Sequence, residues 1–251
     1  MFEGTINIKG KDIPRTLLGT APFTGIEAAQ FGHRAMLYQL DFPEDPERIA
    51  GIIRKSYEIG VRGIQLIPKP WTVEAVKMAA ETGCKMDIIG TVRPEDPSGD
   101  VATLSELGAS AMILHPATVD KMDFQAVEEQ LQLIKDEGAV SGVSTGFPFQ
   151  ITAMLIDSSL QDLFDIYMIP LNKLGYIMDS EGYGPEDRLK LEALIKKLGK
   201  RVIANKTLAA GILQPSEAFD YIKTVDYVDM VSVGIASVAE AEETFRIIAS
   251  K

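Results

Sequence analysis

Arg201-Val-Ile-Ala-Asn-Lys-Thr-Leu-Ala-Ala-Gly-Ile-Leu-Gln-Pro-Ser, followed downstream by Val231-Ser-Val-Gly-Ile-Ala-Ser, is the stretch whose reading decides the fold. An apolar run ends in Asn205-Lys206-Thr207, a glycine turn leads into a helical pattern, and a second apolar run ends in a glycine-serine turn. Continuous rather than alternating apolarity is what parallel strands covered on both faces require. Working back towards the N-terminus, the same unit repeats. Strands are predicted at 16–23, 61–68, 85–92, 110–117, 140–146, 164–172, 201–208 and 229–235. Helical patterns separate them. Asp45-Pro46-Glu47 starts one that runs to Gly60, Trp71-Thr72-Val73-Glu74 reads as a capped start, and later stops fall near Gly83, Gly108, Gly138 and Gly199.

Strict strand-helix alternation with right-handed crossovers leaves a closed barrel or an open doubly wound sheet. Eight units in 251 residues predict a (β/α)8 TIM barrel as a single domain over 1–251. Before the first barrel strand, Thr5-Ile-Asn-Ile and Lys11-Asp-Ile flank Gly10 and read as a short β-hairpin plugging the barrel bottom. The connection from Thr24 to Glu44 is longer than ordinary barrel loops and carries His33, Arg34 and Tyr38. Long connections in compact domains often act as lids or binding loops. The alternative is a surface excursion or a contact between copies in a homo-oligomer.

Net charge of −11 argues against a nucleic-acid or anionic-membrane partner, which would call for excess Lys and Arg. Cys84 is the only cysteine, so no intrachain disulfide is possible, in keeping with a reducing compartment. Met1-Phe-Glu-Gly-Thr has neither the basic start nor the apolar core of a secretory signal, and no run reaches the roughly 20 apolar residues of a membrane span. The expectation is a soluble, cytoplasmic protein with a small-molecule ligand. An anionic ligand would need a local cluster of cations against the overall field.

Barrel active sites are built at the C-terminal ends of strands. Gln65, Arg93, His115, Ser144, Asn172 and Lys206 fall there and are expected to converge on one pocket. Arg93 either grips an anion or pairs with the acidic residues that follow it. Lys206 has three readings: a side chain reaching solvent, a point charge for a phosphate or carboxylate, or a desolvated amine that forms a Schiff base. Backbone amides at Ala210-Gly211 and Gly234-Ile235 are candidates for an anion site after the last two strands. Two histidines, His33 and His115, do not make a metal site without carboxylates, and no metal is expected. Asp179-Ser-Glu-Gly-Tyr-Gly-Pro reads as a turn-rich loop with solvated carboxylates.

The order of motifs resembles the aldo-keto reductases, NADPH-dependent barrels without a Rossmann domain. Leu18-Gly-Thr-Ala-Pro-Phe is similar to the family's first strand, and Tyr57-Glu-Ile-Gly-Val-Arg-Gly to the entry into its second. Leu114-His115-Pro116 resembles the fourth-strand histidine, Ser141-Gly-Val-Ser-Thr-Gly-Phe the fifth-strand motif, and Pro170-Leu-Asn172 the sixth-strand end. Leu208-Ala-Ala-Gly-Ile-Leu and Val233-Gly-Ile-Ala-Ser resemble the last two strands. The resemblance spans nearly the whole chain. It implies an NADP cofactor held by Ser144, Thr145, Asn172, Gly234 and Ser237, with His115, Arg93, Lys206 and Gln65 left as the catalytic candidates.

The family's catalytic tyrosine, lysine and aspartate do not match here. The second strand ends Gln65-Leu66-Ile67, followed by Pro68-Lys69-Pro70-Trp71, where the family has its aspartate and then its tyrosine. The third-strand lysine position falls at Val92, and only His115 matches. Without a phenol to protonate the developing alkoxide, carbonyl reduction by the family's route lacks its general acid. Three functions therefore stand: a divergent NAD(P)-dependent oxidoreductase, a Lys206-dependent lyase or aldolase acting on a phosphorylated or carboxylated small molecule, and a ligand-binding barrel that has lost catalysis.

Overall fold

The computed structural model describes residues 2–27 and 29–250; Met1, Ala28 and Lys251 lie outside the described residues. Two short strands, β1 (Thr5–Ile8) and β2 (Lys11–Pro14), pair antiparallel as the hairpin. Eight parallel strands then follow: β3 (Thr16–Gly19), β4 (Gly63–Leu66), β5 (Asp87–Val92), β6 (Ala111–Leu114), β7 (Val140–Ser144), β8 (Ile166–Pro170), β9 (Arg201–Asn205) and β10 (Met230–Gly234). They form a closed barrel in sequence order, with β10 returning to pair with β3. Each predicted strand is present. The predicted ends run past the real ones because rim residues such as Thr20, Thr145 and Thr207 directly continue the apolar runs in the sequence but lie outside the ladder.

Among the described residues, ten α-helices accompany the sheet: α1 (Arg34–Asp41), α2 (Pro46–Glu58), α3 (Pro70–Glu81), α4 (Pro97–Glu106), α5 (Pro116–Val119), α6 (Phe124–Asp136), α7 (Pro148–Ile156), α8 (Pro185–Leu198), α9 (Pro215–Ile222) and α10 (Val238–Ser250). Seven of them, α2 to α5 and α7 to α9, open on proline. The first helical position loses no hydrogen bond to a missing amide, so these prolines set helix starts rather than break helices. The glycine stops are also where the sequence places them, and Gly199 closes α8 in the left-handed conformation.

The core has two parts. One lies between the sheet and the helices. The other fills the barrel interior with Leu17, Ile89, Ile113, Ile166, Ile203 and Met230, and includes Ile8 and Ile13 from the hairpin. The hairpin thus seals the barrel bottom, as its position in the chain predicts. Burying each isoleucine contributes about 1.5–3 kcal/mol. With the bottom filled, the open space is left at the opposite end. Among the described residues, no helix is long and apolar enough to cross a membrane.

The seal constrains one backbone position. A Cβ at Gly63 would lie 2.4 Å from Leu17 Cδ2 and 2.9 Å from Pro14 Cβ, inside the contact between hairpin and barrel. Gly51, in α2, has nothing within 4 Å of the same construction. Gly63→Ala should therefore destabilise by about 1–3 kcal/mol through overpacking. Gly51→Ala should stabilise by about 0.4–1 kcal/mol by restricting the unfolded chain. Thermal melts of the two variants should move in opposite directions; a shift of the same sign would contradict the packing described here.

Candidate active site

A cavity of about 720 Å³ opens at the C-terminal end of the barrel. Its floor is polar: Gln65 on β4 donates to Thr91 on β5, and Ser232 on β10 lies 3.5 Å from Gln65 Oε1. From that floor the cavity extends past His115, Ser144 and Lys206 to the rim of β9 and β10, where Gly211, Gln214, Gly234 and Glu240 line it.

The long connection after β3 forms one wall. Phe23, Phe31, Tyr38 and Phe42 stack in series, with ring centroids 4.9 to 5.9 Å apart. Trp71 Nε1 donates to Phe23 O at 2.8 Å, and Tyr176 OH to Gln30 O at 3.0 Å. These contacts hold the connection across the barrel mouth, so Arg34 and Tyr38 face the cavity while His33 stays exposed. Arg34 lies against Gly211, where a Cβ would come within 2.7 Å of its Nη1. Burial raises the Tyr38 phenol above its ordinary pKa, with Glu240 adding to the effect and Arg34 opposing it.

Five of the six expected strand-end residues line this cavity: Gln65, Arg93, His115, Ser144 and Lys206. Asn172 does not. It is fully buried, donates to Tyr176 O and Lys206 O, and accepts the amides of Leu174 and Tyr176. Its side chain is spent folding the loop after β8. Thr145 and Ser237 also serve the scaffold. Thr145 Oγ1 donates to Asp120 and accepts the Phe147 amide, and Ser237 Oγ accepts the Glu240 amide at the start of α10. Gly234 does lie on the cavity rim. The Gly211 amide is occupied by Leu208 O.

Two expectations about charge need correction. Arg93 is held by Asp100, with Nε to Oδ2 at 2.9 Å and Nη2 to Oδ1 at 2.6 Å. Asp100 is only 2% exposed and also accepts the Arg93 amide. The pair is a fork-on-carboxylate brace between the end of β5 and α4. The loop carboxylate Asp179 is not simply solvated either. It accepts the amides of Phe149 and Gln150 at 3.0 and 2.7 Å, satisfying the start of α7.

His115 accepts the Ala117 amide at Nδ1, 3.1 Å away. In the neutral ring the proton is therefore on Nε2, which makes that nitrogen the hydrogen-bond donor. Lys206 follows β9 in the left-handed conformation at φ 53. Burial pushes its ammonium pKa below the ordinary lysine value, and the Asp120 charge partly opposes this. Burial likewise raises the carboxyl pKa of Asp120, against its bonds from Thr145 and Gly146. Beside these, Ser144 Oγ, Asn205 Oδ1 and Thr207 Oγ1 are buried without a hydrogen-bond partner, and all three residues line the cavity. The strand ends name Ser144 and Lys206 and put Asn205 and Thr207 at the same rim, and the long connection offers Arg34, but Thr91 carries no signal of its own in the sequence. Asn205 and Thr207 flank Lys206 in the chain, so that signal was in view; Arg34 arrives from a connection whose path only the fold shows.

No protein-family model matches this sequence, and no curated protein does. Solved structures do. An aldo-keto reductase of Bacillus halodurans, AKR11C1 in its apo form, aligns over 99% of this chain and 91% of its own, with TM-score 0.62 and 14% identity. The aldose reductase of Giardia lamblia aligns over 95% of this chain and 88% of its own, with TM-score 0.59 and 16% identity. A variant of Gox0644 in complex with NADPH aligns over 98% and 88%, with TM-score 0.61 and 10% identity. The chain has a divergent form of the aldo-keto reductase fold.

Removing the Arg93 brace tests the assignment of that residue. Asp100→Ala leaves a partly buried guanidinium uncompensated and should cost about 3–5 kcal/mol in chemical denaturation. A change under about 1 kcal/mol, the range of an exposed pair, would return Arg93 to the ligand-gripping role.

Proposed function

We propose that this chain is a divergent aldo-keto-reductase-like enzyme that binds a nicotinamide dinucleotide along the rim of β9 and β10 and a small carbonyl compound at the barrel mouth. The observation that carries this reading is the continuity of the cavity. One space of about 720 Å³ joins the polar floor at Gln65 and Thr91 to the rim at Gly234 and Gln214. Such a volume is in the range of small-molecule and cofactor sites. The fold likeness, which includes a neighbour solved with NADPH, supports the choice of cofactor.

Within that reading His115 donates from Nε2 towards the carbonyl oxygen, and Ser144 offers its free hydroxyl to the ligand. NAD(P)H supplies a hydride when bound. The residues the family uses to protonate the alkoxide are absent, and the rim beside Gly234 carries Glu240 and Glu243 where a further phosphate would be disfavoured. Binding should therefore persist, NADH should be accepted at least as well as NADPH, and simple aldehydes should be reduced slowly or not at all.

Titration of nicotinamide fluorescence tests the first part, with a saturable change expected for either cofactor. At 100 times its dissociation constant the cofactor should also stabilise the fold by roughly 2.7 kcal/mol. No fluorescence change and no thermal shift at millimolar NADH and NADPH would overturn the reading. Brisk reduction of a generic aldehyde would overturn the expectation of slow turnover and would mean that Arg93, His115 or a residue of the 24–44 connection replaces the family's acid.

A further inference from the structure

We infer that Lys206 is a covalent centre in the same cavity, an amine placed to condense with the carbonyl group of a small aldehyde or ketone. This goes beyond nicotinamide binding and does not depend on it.

The argument starts from hydrogen bonds that are not made. Buried polar groups in folded proteins nearly always have partners. Here Ser144 Oγ, Asn205 Oδ1 and Thr207 Oγ1 have none, although Ser144 is fully buried and Thr207 is 1% exposed. Lys206 lies among them, and among the described residues its amine makes no hydrogen bond or ion pair. Asp120 acts on it only as a distant charge, and its own oxygens accept from Thr145 and the Gly146 amide. Four polar side chains on the ends of β7 and β9 therefore face one cavity with their capacity unused.

The backbone supports the placement. Lys206 holds a left-handed backbone at φ 53, a conformation that is unfavourable for a non-glycine residue and persists where the surroundings impose it. The Lys206 carbonyl accepts from Asn172 Nδ2 and from the Ala209 amide, which fixes the backbone from which its side chain leaves the strand end.

The chemistry of the cluster selects the ligand. A pure anion is a poor fit to this cluster, because Asn205 Oδ1 is an acceptor and the arginines that line the cavity lie elsewhere, Arg93 against Asp100 and Arg34 against Gly211. Desolvation also favours the neutral amine, which is the nucleophilic form. A carbonyl compound uses both properties. The Nζ lone pair adds to the carbonyl carbon, and the carbonyl oxygen takes a proton to give a carbinolamine. Loss of a second proton from nitrogen and departure of the hydroxyl as water leave C=N in place of C=O. No oxidant or reductant is needed. The protonated imine withdraws electrons from the neighbouring carbon, so an α-proton becomes acidic, and water reverses the condensation. Ser144 and Thr207 can hold the hydroxyl that leaves.

Reductive trapping tests this on the intact protein. Glycolaldehyde is added with sodium cyanoborohydride at pH 7, and the modified lysines are located by peptide mass mapping. Lys206 should carry the adduct several-fold faster than exposed lysines such as Lys173 and Lys196. Because burial lowers the Lys206 pKa, its trapping should reach half-maximum at a lower pH than at those surface sites. Lys206→Met should lose the adduct and keep its melting temperature, and Ser144→Ala should slow trapping while leaving Lys206 the preferred site. Uniform labelling of surface lysines with Lys206 unmodified would overturn the proposal, as would protection of Lys206 by millimolar inorganic phosphate with no adduct formed. Should Lys206→Met fail to fold, the wild-type peptide map decides alone. Trapping that persists without any nicotinamide binding would sink the dinucleotide reading and leave this one standing.

Discussion

The contact on which everything else rests is the pairing of β10 with β3. It turns a row of parallel strands into a closed barrel, in which every barrel strand is paired on both sides. That closure depends on close approach at Gly19, where a Cβ would sit 3.0 Å from Ser232 Oγ and 3.1 Å from the Gly234 amide. A side chain there would push the last strand away from the first. The same approach brings Ser232 beside Gln65, so the joint that closes the barrel also builds the floor of the cavity.

Closure divides the molecule into a stable end and a chemical end. At the bottom, Ile8 and Ile13 of the hairpin join the interior residues and exclude water. At the top there is no plug, and polar residues collect where each strand runs out. The connection after β3 roofs part of that space through its aromatic series and its bond to Tyr176. The cavity is therefore a consequence of which end the hairpin fills.

Much of the polar inventory at the top serves the scaffold. Arg93 is braced by Asp100, Thr145 by Asp120, Asn172 by the loop it organises, and Ser237 by α10. What remains after these bonds are counted is a smaller set: Ser144, Asn205, Lys206 and Thr207. An unspent hydrogen-bonding group inside a protein costs free energy; Thr118, Gln130 and Arg188 also carry one away from the cavity, so it is the unspent group together with a place on the cavity wall that marks the site.

The sequence by itself determined the barrel. Continuous apolar runs, prolines at helix starts and glycines at helix stops are local statements of backbone preference, and eight repeats of them admit one closed arrangement. It also determined that polar residues at the strand ends gather at one rim, because strand direction is set by the alternation. It could not say which of them are free. Asn172 and Lys206 both stand at strand ends, yet one is consumed by its own loop and the other left without a partner. That difference is decided by atoms distant in the chain, such as the Lys206 carbonyl reaching Asn172 or Asp120 reaching Thr145, and by the desolvation that the assembled walls impose on Lys206. Hydrogen-bond satisfaction and burial are properties of the packed molecule, so only the tertiary structure separates the brace from the reactive group.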